Sequence, residues 1–212
     1  MTSYVVKHIP NALTGFRVLA GVASFFCLAS AAGGVPFIGA LLTPDTQFAL
    51  ERWAFIAFVL ASITDFFDGW LARKLDAVTT WGAILDPIGD KILICGTILG
   101  LAALGPQPEI AIPFALILFR EFAISGLRES IAAKGLKLPV TLLAKWKTTI
   151  QLVAVGGELL VSTWAAWPLP SEPGVLGPLT AAVHGLLWIA AAITVVTGAQ
   201  YWHKAHVAIG DD

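Results

Sequence analysis

Six apolar runs, at about 13–32, 48–71, 84–104, 109–133, 141–166 and 176–202, fix what this chain can fold into. Each is long enough to cross a hydrocarbon core of about 30 Å as a helix. In a bilayer every backbone polar group must be bonded internally, which leaves helices as the means of spanning it with runs of this length. The expectation is an all-α, polytopic integral membrane protein with six transmembrane helices. A residue content of 57% hydrophobic against 13% charged excludes an ordinary soluble globular domain. Gly33-Gly34, Pro36 and Thr43-Pro44-Asp45 punctuate the first connection. Gly105-Pro106, then Gly135 and Pro139, then Pro168, Pro170 and Pro173 mark later ones. Before the first run, Tyr4, Val5, Val6 and Ile9 alternate with Lys7 and His8, and Pro10 interrupts. Residues 1–12 thus predict a short N-terminal helix lying in the interface. Ala29-Ser30-Ala31 resembles a signal-peptidase site, but the many further spans favour a retained first helix. With no internal repeat and no low-complexity linker, 1–212 reads as a single membrane domain.

Six spans place both termini on one side. Lys7, Arg17, Arg73, Lys74, Lys134, Lys137, Lys145, Lys147 and Lys204 all fall on that side, whereas the other holds Arg52 with Asp45, Glu51, Glu109 and Glu172. The positive-inside rule makes the lysine-rich side cytoplasmic. Trp70, Trp81, Trp146 and Trp202 suit an aromatic belt there, and Trp53, Trp164 and Trp167 suit one on the opposite face. Trp188 falls mid-span, where packing is expected. A net charge of −1 without a basic run gives no sign of nucleic acid as a partner. Cys27 and Cys95 lie in apolar runs and read as small buried hydrophobes.

Against this apolar background, residues 64–91 stand out. Asp65 and Asp68 are three apart and share a helix face; Asp86 and Asp90 are four apart and share another. A turn between them would make a helical hairpin with all four carboxylates at one end. Pro87 suits the first turn of the second helix, with Asp86 capping it. Four anions so close repel unless a cation neutralises them, and hard divalent ions take carboxylate oxygens. Two such ions stabilise the attacking and leaving oxygens of a phosphoryl displacement. Gly69, Ala72 and Gly82 add no bulk beside these faces and let a substrate approach closely. Arg73, one turn past Gly69, can clamp a diphosphate or serve as a positive-inside anchor.

The string D-x2-D-G-x2-A-R-x8-G-x3-D-x3-D, from Asp65 to Asp90, matches the signature of the CDP-alcohol phosphatidyltransferases at every fixed position. The resemblance implies a site with two Mg2+ or Mn2+ ions held by Asp65, Asp68, Asp86 and Asp90, with Asp90 as general base. It also implies that Thr79 contacts the CDP group. Asn11-Ala-Leu-Thr14-Gly-Phe-Arg17 resembles the family's N-x-L-T-x-x-R segment, which implies a role at the CDP end of the lipid. Asn11 and Thr14 suit helix capping equally well.

Arg120-Glu121 lies within the fourth run and Arg128-Glu129 two turns on; Ala144-Lys145-Trp-Lys147-Thr148 opens the fifth. Intramembrane ions are costly and point to function. Arg120, Arg128, Lys145 and Lys147 suit the phosphate of a second, anionic substrate, or else ion pairs such as Arg120 with Glu121. These strings resemble bacterial members of the family that use sn-glycerol 3-phosphate, except that those members more often have Gly where this chain has Ala144. The implied reaction transfers the phosphatidyl group of CDP-diacylglycerol to sn-glycerol 3-phosphate, releasing CMP, at the bacterial inner membrane. Another acceptor (inositol phosphate, serine or phosphatidylglycerol) is the alternative within the class, and a cation transporter the alternative outside it. The family commonly dimerises, and Gly96-x-x-x-Gly100 offers a face for close helix contact between copies of a homodimer. Glu158, in the fifth run, and His203 and His206, in the tail, are given no role.

Overall fold

The computed structural model describes the backbone over 2–39, 42–74, 80–105, 107–135 and 142–210, and side chains over 11–39, 42–65, 82, 84–105, 107–135 and 146–208. Among the described residues every regular element is helical. These are α1 (Thr2–Ala31), α2 (Pro44–Lys74), α3 (Thr80–Leu104), α4 (Pro108–Ala133), α5 (Leu142–Ser162) and α6 (Pro173–Gly210), with one 3-10 turn at Trp164–Ala166. Five of the six helices are long and apolar enough to span a bilayer. The exception, α5, has the length but carries Lys145, Lys147 and Glu158. The chain is a multi-pass membrane protein.

Several boundaries differ from expectation. The N-terminal segment is not a separate interfacial helix, because α1 runs unbroken through Pro10. The carbonyl that Pro10 leaves without a donor precedes the apolar segment starting at Asn11, so water can satisfy it. Helix α3 begins at Thr80, six residues before Asp86, so Asp86 is not its cap and Pro87 lies inside it. Helix α5 ends at Ser162 rather than 166, and α6 extends to Gly210. Trp188 is 46% exposed rather than packed. Trp164 is buried, with its indole N–H donating to the Pro170 carbonyl at 3.3 Å, and belongs to the core rather than to a belt. Cys95 is buried and Cys27 half-buried.

Local chemistry explains the ends. Gly33 takes φ 74°, which a glycine adopts without strain, and closes α1. Its N–H meets the Ser30 carbonyl and the Gly34 N–H the Ala29 carbonyl, the paired bonds of a Schellman cap. Thr43 and Thr46 bond reciprocally at the start of α2, each hydroxyl accepting the other's backbone N–H, with Pro44 in the first helical position.

The chain divides into two compact units. The first comprises residues 1–106 and 155–176. Within it α1 packs on both α2 and α3. The contact is close because small residues interlock: a Cβ at Gly21 would lie 3.1 Å from the Leu93 Cα, and one at Gly100 would lie 2.7 Å from Leu28. Gly96 faces the Gly21 carbonyl and Phe25. The Gly96–Gly100 face, expected to meet a second copy, is instead taken by α1 of the same chain. The Ser24 hydroxyl ties α1 to the Ala54 carbonyl of α2 at 3.1 Å. Glu158 is fully buried in this unit. The second unit comprises residues 107–154 and 177–212, and so contains α4, the first part of α5 and most of α6.

Candidate active site

In the first unit the acidic residues are organised by α1. Arg17 is 1% exposed and lies in an apolar helix, where an unpaired guanidinium would be costly. Its Nη1 pairs with Oδ1 of both Asp65 on α2 and Asp90 on α3. Its Nη2 lies 3.5 Å from Oδ1 of Asp86, also on α3. The buried Thr14 hydroxyl, one turn before Arg17, donates to the same Asp86 oxygen at 2.7 Å. Gly89 lies beside the stem of Arg17, where a Cβ would stand in ordinary contact, 3.6 Å from its Cδ. The carboxylates themselves stay open, with Asp65, Asp86 and Asp90 at 28%, 51% and 39% exposure.

This geometry meets the hairpin expectation for three of the four carboxylates: Asp65, Asp86 and Asp90 converge from α2 and α3, with Arg17 of α1 among them. It also gives Thr14 and Arg17 carboxylate partners. Asn11 is half-buried one turn earlier on α1, and Gly82 is buried near the start of α3. Asp68, Gly69, Ala72 and Arg73 follow Asp65 on the last turns of α2, which puts Asp68 on its face; their side chains lie outside the described residues. Thr79 lies outside the described residues altogether.

The donor set suits a hard divalent cation, because three partly accessible carboxylates already converge on one positive charge. Among the described residues, no group of three acidic, His or Cys side chains stands at metal-ligand spacing. The carboxylates are arranged around a guanidinium, which is larger than an ion.

In the second unit the expected cations are present but not bare. The Lys147 amine pairs with Glu121 Oε1, and Arg120 Nη1 reaches the same oxygen at 3.2 Å. Arg120 Nη2 also lies 3.3 Å from the Thr197 hydroxyl. A Cβ at Gly198 would crowd the Arg120 stem at 3.0 Å, so this glycine seats the arginine. Arg128 Nε donates to the Tyr201 hydroxyl at 3.2 Å, and its guanidinium carbon is 5.1 Å from that ring's centroid. Gln151 donates to Thr194 at 2.8 Å. Lys145 lies on α5 with its side chain outside the described residues. The ion-pair alternative for Arg120 is thus realised, extended to Lys147 through the same carboxylate.

Sequence reasoning gave the last helix no part in this cluster. Thr194, Thr197 and Tyr201 stand at i, i+3 and i+7, so one polar stripe on an otherwise apolar helix was the available signal.

Comparison with known proteins gives consistent results. The family model described as CDP-alcohol phosphatidyltransferase matches residues 7–196. A Cereibacter sphaeroides protein named CDP-diacylglycerol–glycerol-3-phosphate 3-phosphatidyltransferase is 36% identical over 96% of this chain and 98% of its own length. A Rickettsia typhi protein of that name is 38% identical over 93% and 96%, and a Bacillus subtilis one 38% identical over 70% and 71%.

Proposed function

The chain belongs to the CDP-alcohol phosphatidyltransferase family, and from that premise we propose that it transfers the phosphatidyl group of CDP-diacylglycerol to sn-glycerol 3-phosphate, giving phosphatidylglycerophosphate and CMP. The observation that carries this reading is the convergence of signature carboxylates from two separate helices on one point, at Arg17. The choice of acceptor is supported by the relatives' names and by the cations of the second unit.

Two Mg2+ or Mn2+ ions held by Asp65, Asp68, Asp86 and Asp90 would supply Lewis acidity that offsets charge on the diphosphate and on departing CMP. Asp90 takes the proton from the acceptor's 1-hydroxyl as that oxygen bonds to the phosphatidyl phosphorus. The phosphoanhydride bond to CMP breaks, and CMP leaves with the electron pair. Arg73, Asn11 and Thr79 bind the CDP end, and Gly69, Ala72 and Gly82 leave room for it. Thr14 and Arg17 act through the carboxylates that they hold. Arg120, Arg128, Lys145 and Lys147 receive the acceptor's phosphate. Both units serve one catalytic domain, a reading supported by a family match that covers parts of each. The lysine distribution supports a cytoplasmic site and cytoplasmic termini, at a bacterial inner membrane. The assembly is a homodimer, on a surface other than the Gly96–Gly100 face.

The test is CMP release by purified protein in detergent with CDP-diacylglycerol and Mg2+, comparing acceptors. Release stimulated by glycerol 3-phosphate alone is the expected result. Stimulation by inositol phosphate, serine or phosphatidylglycerol instead would overturn the acceptor. No release with any of them would overturn the reaction.

A further inference from the structure

One residue stands at the centre of the acidic site and is not itself acidic. Arg17 is buried, at 1% exposure, and meets Oδ1 of Asp65, Asp86 and Asp90. Thr14 holds the Asp86 oxygen from the same helix face, and Gly89 lies beside the arginine stem. Three carboxylates are thus drawn onto one guanidinium. The same carboxylates remain partly accessible. A divalent ion entering there would take over negative charge that Arg17 now neutralises.

We infer that Arg17 is an internal counter-cation of the acidic site, so that metal loading exchanges one cation for another. The inference rests on the metal-binding reading above. It makes Arg17 a positioning residue, with two consequences. Before metal enters, the Arg17 pairs prevent the carboxylates from repelling one another, so they stabilise the metal-free protein. When metal enters, those pairs weaken, so they lower metal affinity. The two effects are one coupling read from opposite sides, because a cation that stabilises the apo form must disfavour its competitor.

The experiment measures Mn2+ binding to full-length protein in detergent, by the electron paramagnetic resonance signal of free Mn2+, together with thermal unfolding in EDTA and in excess Mn2+. Arg17→Gln is expected to bind Mn2+ about tenfold more tightly than wild type, within the usual range for coupled ligands. It is also expected to melt lower than wild type in EDTA, with most of that difference removed by Mn2+. Arg17→Lys keeps a charge but not the forked donors, so its affinity should fall between the two. It serves as the decisive variant if Arg17→Gln does not fold. A merely structural arginine would lower the melting temperature equally with and without Mn2+ and leave affinity unchanged. That result, or weaker binding in either variant, would overturn the inference. Asp65→Asn and Asp86→Asn separate the two readings. If wild type binds no Mn2+, or these variants bind it as wild type does, the metal-binding reading fails and takes the exchange with it. If they lose Mn2+ while the Arg17 variants bind as wild type, only the exchange fails.

Discussion

The two charged clusters are near mirror images. In the first unit a single buried cation, Arg17, gathers three carboxylates. In the second a single half-buried anion, Glu121, gathers Lys147 and Arg120, with Arg128 nearby on Tyr201. Among the described side chains, three carboxylates against one guanidinium leave two negative charges, and three cations against one carboxylate leave two positive charges. Among these described side chains neither cluster is balanced, and the signs suit different ligands: a divalent cation in one, a phosphate dianion in the other. An isolated charge in a membrane domain is costly, and the central counter-charge reduces that cost in each cluster.

The comparison breaks most sharply at Asp90. Asp90→Asn removes the proposed base, and turnover should fall by about a thousandfold or more, as loss of general-base catalysis does. Single-turnover CMP release reads this, and near-wild-type turnover would reassign the base. On the other side, Glu121→Gln leaves Lys147 and Arg120 without their shared anion. The expected loss is about 3 kcal/mol of stability, the usual cost of orphaning a buried charge, read as a lowered melting temperature. Excess glycerol 3-phosphate should restore part of it, since a bound dianion replaces the missing counter-charge. Lys147→Gln should then raise the KM for glycerol 3-phosphate about tenfold with a smaller change in kcat, as loss of a charge-assisted bond of about 1.5 kcal/mol would. An unchanged KM would make Lys147 a structural partner of Glu121 alone. Tyr201→Phe is the mildest change. It deletes one hydrogen bond to Arg128 and keeps the ring, so the acceptor KM should rise no more than about fivefold, the effect of about 1 kcal/mol.

What the sequence determined by itself was everything local. Apolar runs of membrane length specify helices because the bilayer leaves them no other way to satisfy their backbone. The spacing of Asp65 with Asp68, and of Asp86 with Asp90, assigns shared faces because helical periodicity is fixed. The signature's match and the placing of Arg120 and Lys147 in apolar surroundings were equally legible. Helix boundaries were less so: Pro10 and Pro87 each suggested an end, yet both lie within helices that continue past them.

Only the tertiary structure decided which faces meet. Arg17 reads from sequence as a CDP-binding donor; packing at Gly21 and Gly100 brings α1 against α3, and the Ser24 bond to Ala54 ties it to α2, so that Arg17 also meets carboxylates of both helices. Glu121 reads as a local partner of Arg120, yet it also takes Lys147 from a different helix, while Thr197 and Tyr201 reach the same cluster's arginines from a third. The physical reason is that helix periodicity fixes directions around one axis. Long-range partners depend instead on how closely two helices can approach, and that depends on small residues where the helices cross.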